Sequence, residues 1–315
     1  MNNRPRISYL ILLFLLIPSL AHAFWVWTPE TNKWINPKYD VKETPTQQLE
    51  YSLGFYKAKD YEKAINELKK LIQHYPKARQ APEAQYYIGI SLEEQGKFFE
   101  GFKAYQLVID KYPFSERSPE VIKREYDIAV KLVEGKDRGF WVETVAGGNY
   151  DVIEIFRTVI KNAPYGELAA SAQYKIGLYL QEKQLYQEAR DEFEKVVNDY
   201  PNSQWAKAAQ YQIALSDAKR SRDAQHDQKV TQAAVEEFKE FVKENPDAEL
   251  SRQAKEHIQK LREKDAENNF VVGQFYEKQK NYKAAKIYYQ TIVNEFADTS
   301  VASRALEKIQ KLGQI

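Results

Sequence analysis

The chain has 315 residues, 46 basic and 45 acidic side chains, and no cysteine. Near neutrality excludes the basic excess expected of a nucleic-acid-binding protein. The missing thiol excludes a disulfide framework, a thiolate metal site and a cysteine nucleophile.

Residues 1–23 read as a secretory signal. Arg4 and Arg6 form a positive start, Leu10 to Leu20 is an almost unbroken apolar run, and Ala21-His22-Ala23 offers the small-x-small pattern of a cleavage site. The alternative is retention as an anchor, since the apolar stretch continues through Trp27 to roughly the ~18–20 residues that span a bilayer. Removing Arg4 and Arg6 leaves 44 basic against 45 acidic residues. Residues 24–44 follow as an aromatic, proline-rich segment predicted to be extended. Its Trp25, Trp27 and Trp34 either pack on the first repeat or meet a membrane surface or a partner.

From residue 45 onward the apolar residues recur at helical spacing, and abundant Ala, Glu, Lys and Gln favour helix, so the fold class is all-α. The strings Ala84-Gln85-Tyr86-Tyr87-Ile88-Gly89 and Ala172-Gln173-Tyr174-Lys175-Ile176-Gly177 match in five of six places, and Ala209-Gln210-Tyr211 begins a third copy. Each copy is followed by a second helix ending at a proline or its equivalent: Tyr75-Pro76, Tyr112-Pro113, Ala163-Pro164, Tyr200-Pro201, Asn245-Pro246 and, last, Ala297. Proline closes a helix because it breaks the hydrogen-bond ladder. Aligned on these ends, the first helices carry Ser52, Gly89, Ala129, Gly177, Ala214 and Gly273, and the second helices carry Ala64, Gly101, Val152, Ala189, Ala234 and Ala285. Small residues at both places let two helices cross closely. Bulky residues four positions on (Leu68, Tyr105, Phe156, Phe193, Phe238, Tyr289) are expected to fill the space against the next pair. This is the tetratricopeptide pattern: a superhelical solenoid of about six helix pairs over residues 45–315. The repeats lie near 45–78, 82–115, 122–166, 170–203, 207–248 and 266–299, with a C-terminal capping helix. A glycine-flanked loop near 134–150 carries Phe140 and Trp141, a further possible membrane or partner contact.

Three residues before each small residue stand Leu49, Tyr86, Tyr126, Tyr174, Tyr211 and Phe270, and one step earlier an amide-rich file including Gln85 and Gln173. Two readings stand. The rings and amides line a concave groove and hold an extended peptide, or the rings pack between helices and hold the array together. No catalytic constellation is found and no cofactor is implied: His74, His226 and His257 are far apart and lack a metal-pair spacing, and the serines at helix starts suit N-capping. The reading is of a binding scaffold and not of an enzyme.

Residues 200–312 resemble the BamD family of outer-membrane β-barrel assembly lipoproteins. The resemblance rests on Tyr200-Pro201-Asn202-Ser203-Gln204, on Ser221-Arg222-Asp223-Ala224-Gln225-His226 ahead of Ala233-Ala234-Val235-Glu236-Glu237-Phe238, and on Phe275-Tyr276-Glu277-Lys278 and Phe296-Ala297-Asp298-Thr299. Arg222, Asp223 and Gln225 form its insertion motif. The likeness implies a periplasmic scaffold associated with the outer membrane. Its N-terminal repeats would receive unfolded outer-membrane proteins, and its C-terminal repeats would dock the periplasmic domains of the central barrel-assembly protein. Extended aromatic-rich strands would bind along Tyr86, Tyr126 and Tyr174. The chain departs from the family in carrying no cysteine for a lipid anchor and one additional helix pair. The alternative is a periplasmic adaptor for envelope constriction or peptidoglycan machinery, similar to the Tol-Pal coordinator. That family carries a coiled coil before its repeats, where this chain has three prolines in residues 24–45.

Overall fold

The structure, a computed structural model, describes residues 25–28, 33–36, 40–134, 152–223, 228–247 and 249–313. The signal, the loop bearing Phe140 and Trp141, and Gln225 of the insertion motif lie outside them. Within the N-terminal segment β1 (Val26–Thr28) pairs antiparallel with β2 (Lys33–Ile35), Trp27 facing Trp34.

Thirteen helices follow among the described residues. They are α1 (Pro45–Lys57), α2 (Tyr61–His74), α3 (Gln80–Glu94), α4 (Phe98–Lys111), α5 (Ser118–Glu134), α6 (Val152–Asn162), α7 (Glu167–Glu182), α8 (Tyr186–Asp199), α9 (Gln204–Asp223), α10 (Gln228–Glu244), α11 (Glu249–Lys278), α12 (Tyr282–Glu295) and α13 (Val301–Leu312). The chain is an all-α tetratricopeptide-repeat fold. Its helices form two compact units, residues 1–121 and 122–315.

Local chemistry sets the helix ends. Thr44 accepts from the Gln47 amide at 3.2 Å ahead of Pro45, and Asp60 and Asn281 cap α2 and α12 in the same way. The turn inside a helix pair needs a left-handed residue. Gly96 supplies it with φ 75°, whereas Lys59, Gln184 and Lys280 take up φ 61°, 63° and 59° against the β-carbon penalty. The stretch between the fifth and sixth repeats, around Lys260, is helical throughout. Residues 249–272 contain neither glycine nor proline, so nothing stops a single 30-residue α11.

The crossings follow the small-residue rule, with one correction. A β-carbon on Gly89 would lie 2.3 Å from Tyr105 Cε1, on Gly177 2.5 Å from Phe193 Cε1, and on Gly273 2.6 Å from Tyr289 Cε1. The bulky second-helix residues therefore press on the small residue of their own pair and not only towards the next one. Leu68, Tyr105, Phe156, Phe193, Phe238 and Tyr289 are all fully buried, each contributing on the order of 1.5–3 kcal/mol through removal from water. In the first unit Ile65, Leu68 and Leu71 of α2 meet Ala81, Ala84 and Ile88 of α3. In the second, one core gathers Tyr211, Ala234, Phe238 and Leu261, and another gathers Phe270, Tyr289, Ile292 and Ala305. These two cores succeed each other along α11, and at the joint the Asp265 carboxylate is buried, its Oδ1 without a hydrogen-bond partner among the described residues.

Candidate peptide-binding site

The aromatic file is core and not groove, which overturns the groove-lining expectation for its rings. Tyr86 is 2% exposed and Tyr174 8%. Tyr211 and Phe270 are buried as well, and Tyr126 is half-buried. The reason is periodicity. A residue three before the crossing position shares its helix face, and that face is pressed on the second helix. Tyr126 meets Phe156 with centroids 5.9 Å apart, Tyr174 meets Phe193 at 5.4 Å, Tyr211 meets Phe238 at 5.7 Å, and Phe270 meets Tyr289 at 5.4 Å.

The hydroxyls of these tyrosines reach to the next first helix. Tyr86 donates to Glu120, Tyr126 pairs with Ser171 at 2.7 Å, Tyr174 accepts from Gln212 at 3.4 Å, and Tyr211 donates to Gln253 at 3.3 Å. The file therefore ties successive repeats together. Burial raises the Tyr174 phenol above its ordinary pKa, so it stays a neutral hydrogen-bonding group.

The amides have an internal partner too, where an external peptide backbone was expected. Gln85 donates from Nε2 to the Ala104 carbonyl at 3.0 Å, Gln173 to the Glu192 carbonyl at 3.3 Å, and Gln48 to the Glu67 carbonyl at 3.1 Å. Each bond spans 19 residues, from first helix to second, so it is one device repeated. Gln85 and Tyr86 lie in the first unit, and Tyr126, Gln173, Tyr174, Tyr211 and Phe270 in the second. Arg222 and Asp223 end α9.

What the first unit does offer is a groove of about 810 Å³ along the turns that close its helix pairs. Leu49 of α1, the stretch from Pro76 to Glu83, Lys111, and the turn from Tyr112 to Arg117 line it. Four basic side chains (Lys77, Arg79, Lys111, Arg117) face two acidic ones (Glu83, Glu116). Arg117 is locked: Nε and Nη2 hold both Glu83 oxygens at 2.7 and 2.6 Å, Nη1 holds Glu120 at 2.7 Å, and the guanidinium stacks 4.7 Å from the Tyr86 centroid. The Glu83 contact, with Glu120 behind it, raises the guanidinium pKa, so this charge is permanent. Arg79 meets Glu116 only at 3.7 Å, with both side chains open to solvent, and such a pair is worth little. Lys77 and Lys111 form no ion pair among the described residues. Beside them Phe114 is 99% exposed.

Phe114 was missed because the Tyr-Pro turns were read only as helix stops. The signal was available: a large ring directly after the closing proline has no helix face to hide on. Tyr165, after Pro164, has the same place in its repeat and is equally exposed. In the second unit a groove of about 400 Å³ is acidic, lined by Glu194, Glu237, Glu240 and Glu244. Arg190 spans part of it, bonding Glu237 at 2.9 Å and the buried Asp217 at 3.2 Å. Towards the C-terminus Val271 and Phe275 of α11, Ile287 of α12 and Leu306 of α13 are exposed apolar residues. No cluster of three or more His, Cys, Asp or Glu suited to a metal occurs among the described residues.

Comparison with known proteins places these features. Residues 214–313 match the family model YfiO, described as outer membrane lipoprotein, and residues 48–78, 83–115 and 171–203 match the tetratricopeptide repeat model. The outer membrane protein assembly factor BamD of Caulobacter vibrioides is 23% identical over 196 residues. That alignment covers 61% of this chain and 62% of the relative, so the chain spans about three fifths of its length. Among solved structures, the C-terminal part of a tetratricopeptide-repeat protein from Cytophaga hutchinsonii is 15% identical, with a TM-score of 0.38 over 84% of this chain and 88% of that one. A tetratricopeptide repeat protein from Parabacteroides merdae is 16% identical, with a TM-score of 0.35 over 85% and 100%. With the repeat model on three helix pairs and the lipoprotein model on the C-terminal third, the chain is a BamD-like tetratricopeptide-repeat protein.

Proposed function

We propose that the protein is a scaffold of outer-membrane β-barrel protein assembly, working in the periplasm against the outer membrane. In this reading the first unit receives unfolded outer-membrane proteins, and the region of residues 214–313 docks the periplasmic domains of the central barrel-assembly protein. The observation that carries the client half is the first-unit groove, where Lys77 and Lys111 form no ion pair among the described residues and the exposed Phe114 shares the lining. Unpaired ammonium groups next to a ring suit an extended polypeptide that ends in an aromatic residue and a free carboxylate. This groove takes the place of the Tyr86, Tyr126 and Tyr174 face. The docking half is supported by the exposed Val271, Phe275, Ile287 and Leu306, all inside the stretch that matches the lipoprotein family. Exposed apolar residues of this size belong at a contact.

The test is fluorescence anisotropy with a labelled peptide ending in phenylalanine. Lys77→Glu with Lys111→Glu, or Phe114→Ser, is expected to weaken binding by about tenfold or more, and amidating the peptide carboxylate by a similar factor. Equal affinity for the free and amidated peptides would sink the groove assignment. Pull-down of the tagged chain from envelope extract tests the docking half. It fails if recovery of the barrel-assembly protein is unaffected by Phe275→Ser with Val271→Ser.

A further inference from the structure

The N-terminal hairpin presents a second surface with different chemistry. Trp27 and Trp34 are partners in the register of β1 and β2, so both rings stand on one face, their centroids 5.7 Å apart and tilted by 59°. Trp25 stands immediately before β1, two residues ahead of Trp27. The three rings are 56%, 42% and 63% exposed in chain order. Pairing Trp27 with Trp34 has not buried them. A two-stranded ribbon of three residues per strand is marginal alone in water, so this aromatic face calls for a second surface.

We propose that the face formed by Trp27 and Trp34, with Trp25 at its edge in the chain, seats in the headgroup layer of a phospholipid bilayer. Indole combines a broad apolar ring with one N–H donor, which suits the boundary between acyl chains and water. The preceding chain points to the same place: 24 residues come before Trp25, and their apolar run from Leu10 ends at Leu20, five positions from the first indole. A segment of that hydropathy is handled at a membrane, and the hairpin follows it directly. The 315 residues hold no cysteine, so this chain has no thiol to carry acyl groups. In the sequence of residues 25–41, Glu30 and Asp40 balance Lys33 and Lys38 in charge. The attachment is therefore apolar and reversible, and it does not rest on anionic lipid.

Flotation of the chain from Phe24 onward, which lacks the apolar run Leu10 to Leu20, with vesicles of phosphatidylethanolamine and phosphatidylglycerol tests this. The chain is expected to float, and to keep floating at about 0.5 M salt, where exposed ionic attraction is screened. Replacing Trp25, Trp27 and Trp34 together by serine should reduce the vesicle-bound fraction by about tenfold or more. Phe114→Ser, an equally exposed ring elsewhere, should leave it unchanged. Circular dichroism confirms that the helices persist in the triple variant. Were they lost, Trp34→Ser alone should still lower flotation several-fold and Trp34→Tyr should restore it. The proposal is overturned if the parent chain stays at the bottom of the gradient, or if the serine variants float as it does. It is equally overturned if the triple substitution abolishes capture of an envelope protein while vesicle binding persists, which would make the face a protein contact.

Discussion

Replacing Gly177 by alanine tests the crossing geometry most directly. In an open helix the change is favourable by about 1 kcal/mol, because alanine is the better helix former. Here the new β-carbon would lie 2.5, 2.7 and 2.8 Å from Phe193 Cε1, Cδ1 and Cζ, inside contact distance of three ring atoms at once. The ring is fully buried and backed by Tyr174, which stacks on Trp205 at 5.0 Å, so it has no open side to move into. Overpacking of this kind costs about 1–3 kcal/mol and falls towards the top of that range where the neighbour cannot yield. The balance is a net loss of about 1–2 kcal/mol, or roughly 2–8 °C in the thermal midpoint of a unit of this size. Gly54→Ala is the control. Nothing lies within 4 Å of its built β-carbon, and the substitution should stabilise by about 0.5–1 kcal/mol. Thermal melts by circular dichroism separate the two signs. Combining Gly177→Ala with Phe193→Leu should recover about 1 kcal/mol relative to additivity. If Gly177→Ala raises the midpoint as Gly54→Ala does, or adds to Phe193→Leu without coupling, the close crossing is not what requires glycine.

Three further outcomes follow from the same structure. Burial lifts the Asp265 carboxyl from its ordinary 3.8 to about 6, against the opposing pull of Lys264 and Arg262. A carboxyl whose folded pKa is raised binds more protons folded than unfolded, so stability falls as pH rises through about 4 to 6 and stays low above. Asp265→Asn should therefore gain on the order of 2–3 kcal/mol in urea melts at about pH 8 and little at about pH 4; an equal gain at both would exclude this titration as the cause. Gln184→Gly relieves a φ of 63° and should raise the thermal midpoint by the equivalent of about 1 kcal/mol, whereas Gly96→Gln should lower it. Arg117→Lys loses the fork on Glu83 and the stack on Tyr86, so it should destabilise nearly as much as Arg117→Ala, by about 1–3 kcal/mol. A lysine variant as stable as the parent would mean that only the charge matters there.

The repeat frame was legible because its constraints are local and recur. A small residue at the first-helix crossing position, a bulky residue at a fixed place in the second helix, and a closing proline in five of the six pairs occur at set spacings, and Gly89, Gly177 and Gly273 sit where a β-carbon would strike the bulky ring of their own pair. The candidate site was less legible. Tyr86, Tyr174 and Tyr211 were seen as a file with two possible faces, and their three-residue offset from the crossing position held the answer. The partners of Gln85 and Gln173 could not be read at all, because a bond across 19 residues depends on the pitch between two helices. Phe114 was visible as a residue, but its exposure depends on what the neighbouring turns leave uncovered.

By itself, then, the amino-acid order determined the helical class and the recurring small and bulky positions of each pair, since these follow from propensity and excluded volume over a few turns; that the bulky residue presses on its own pair's small residue was decided by the tertiary structure. Tertiary structure alone decided which rings are buried, which cations stay unpaired, and that one helix of 30 residues joins two cores past a buried carboxylate. Those outcomes depend on the distances between segments far apart in the chain, and no local pattern encodes such a distance.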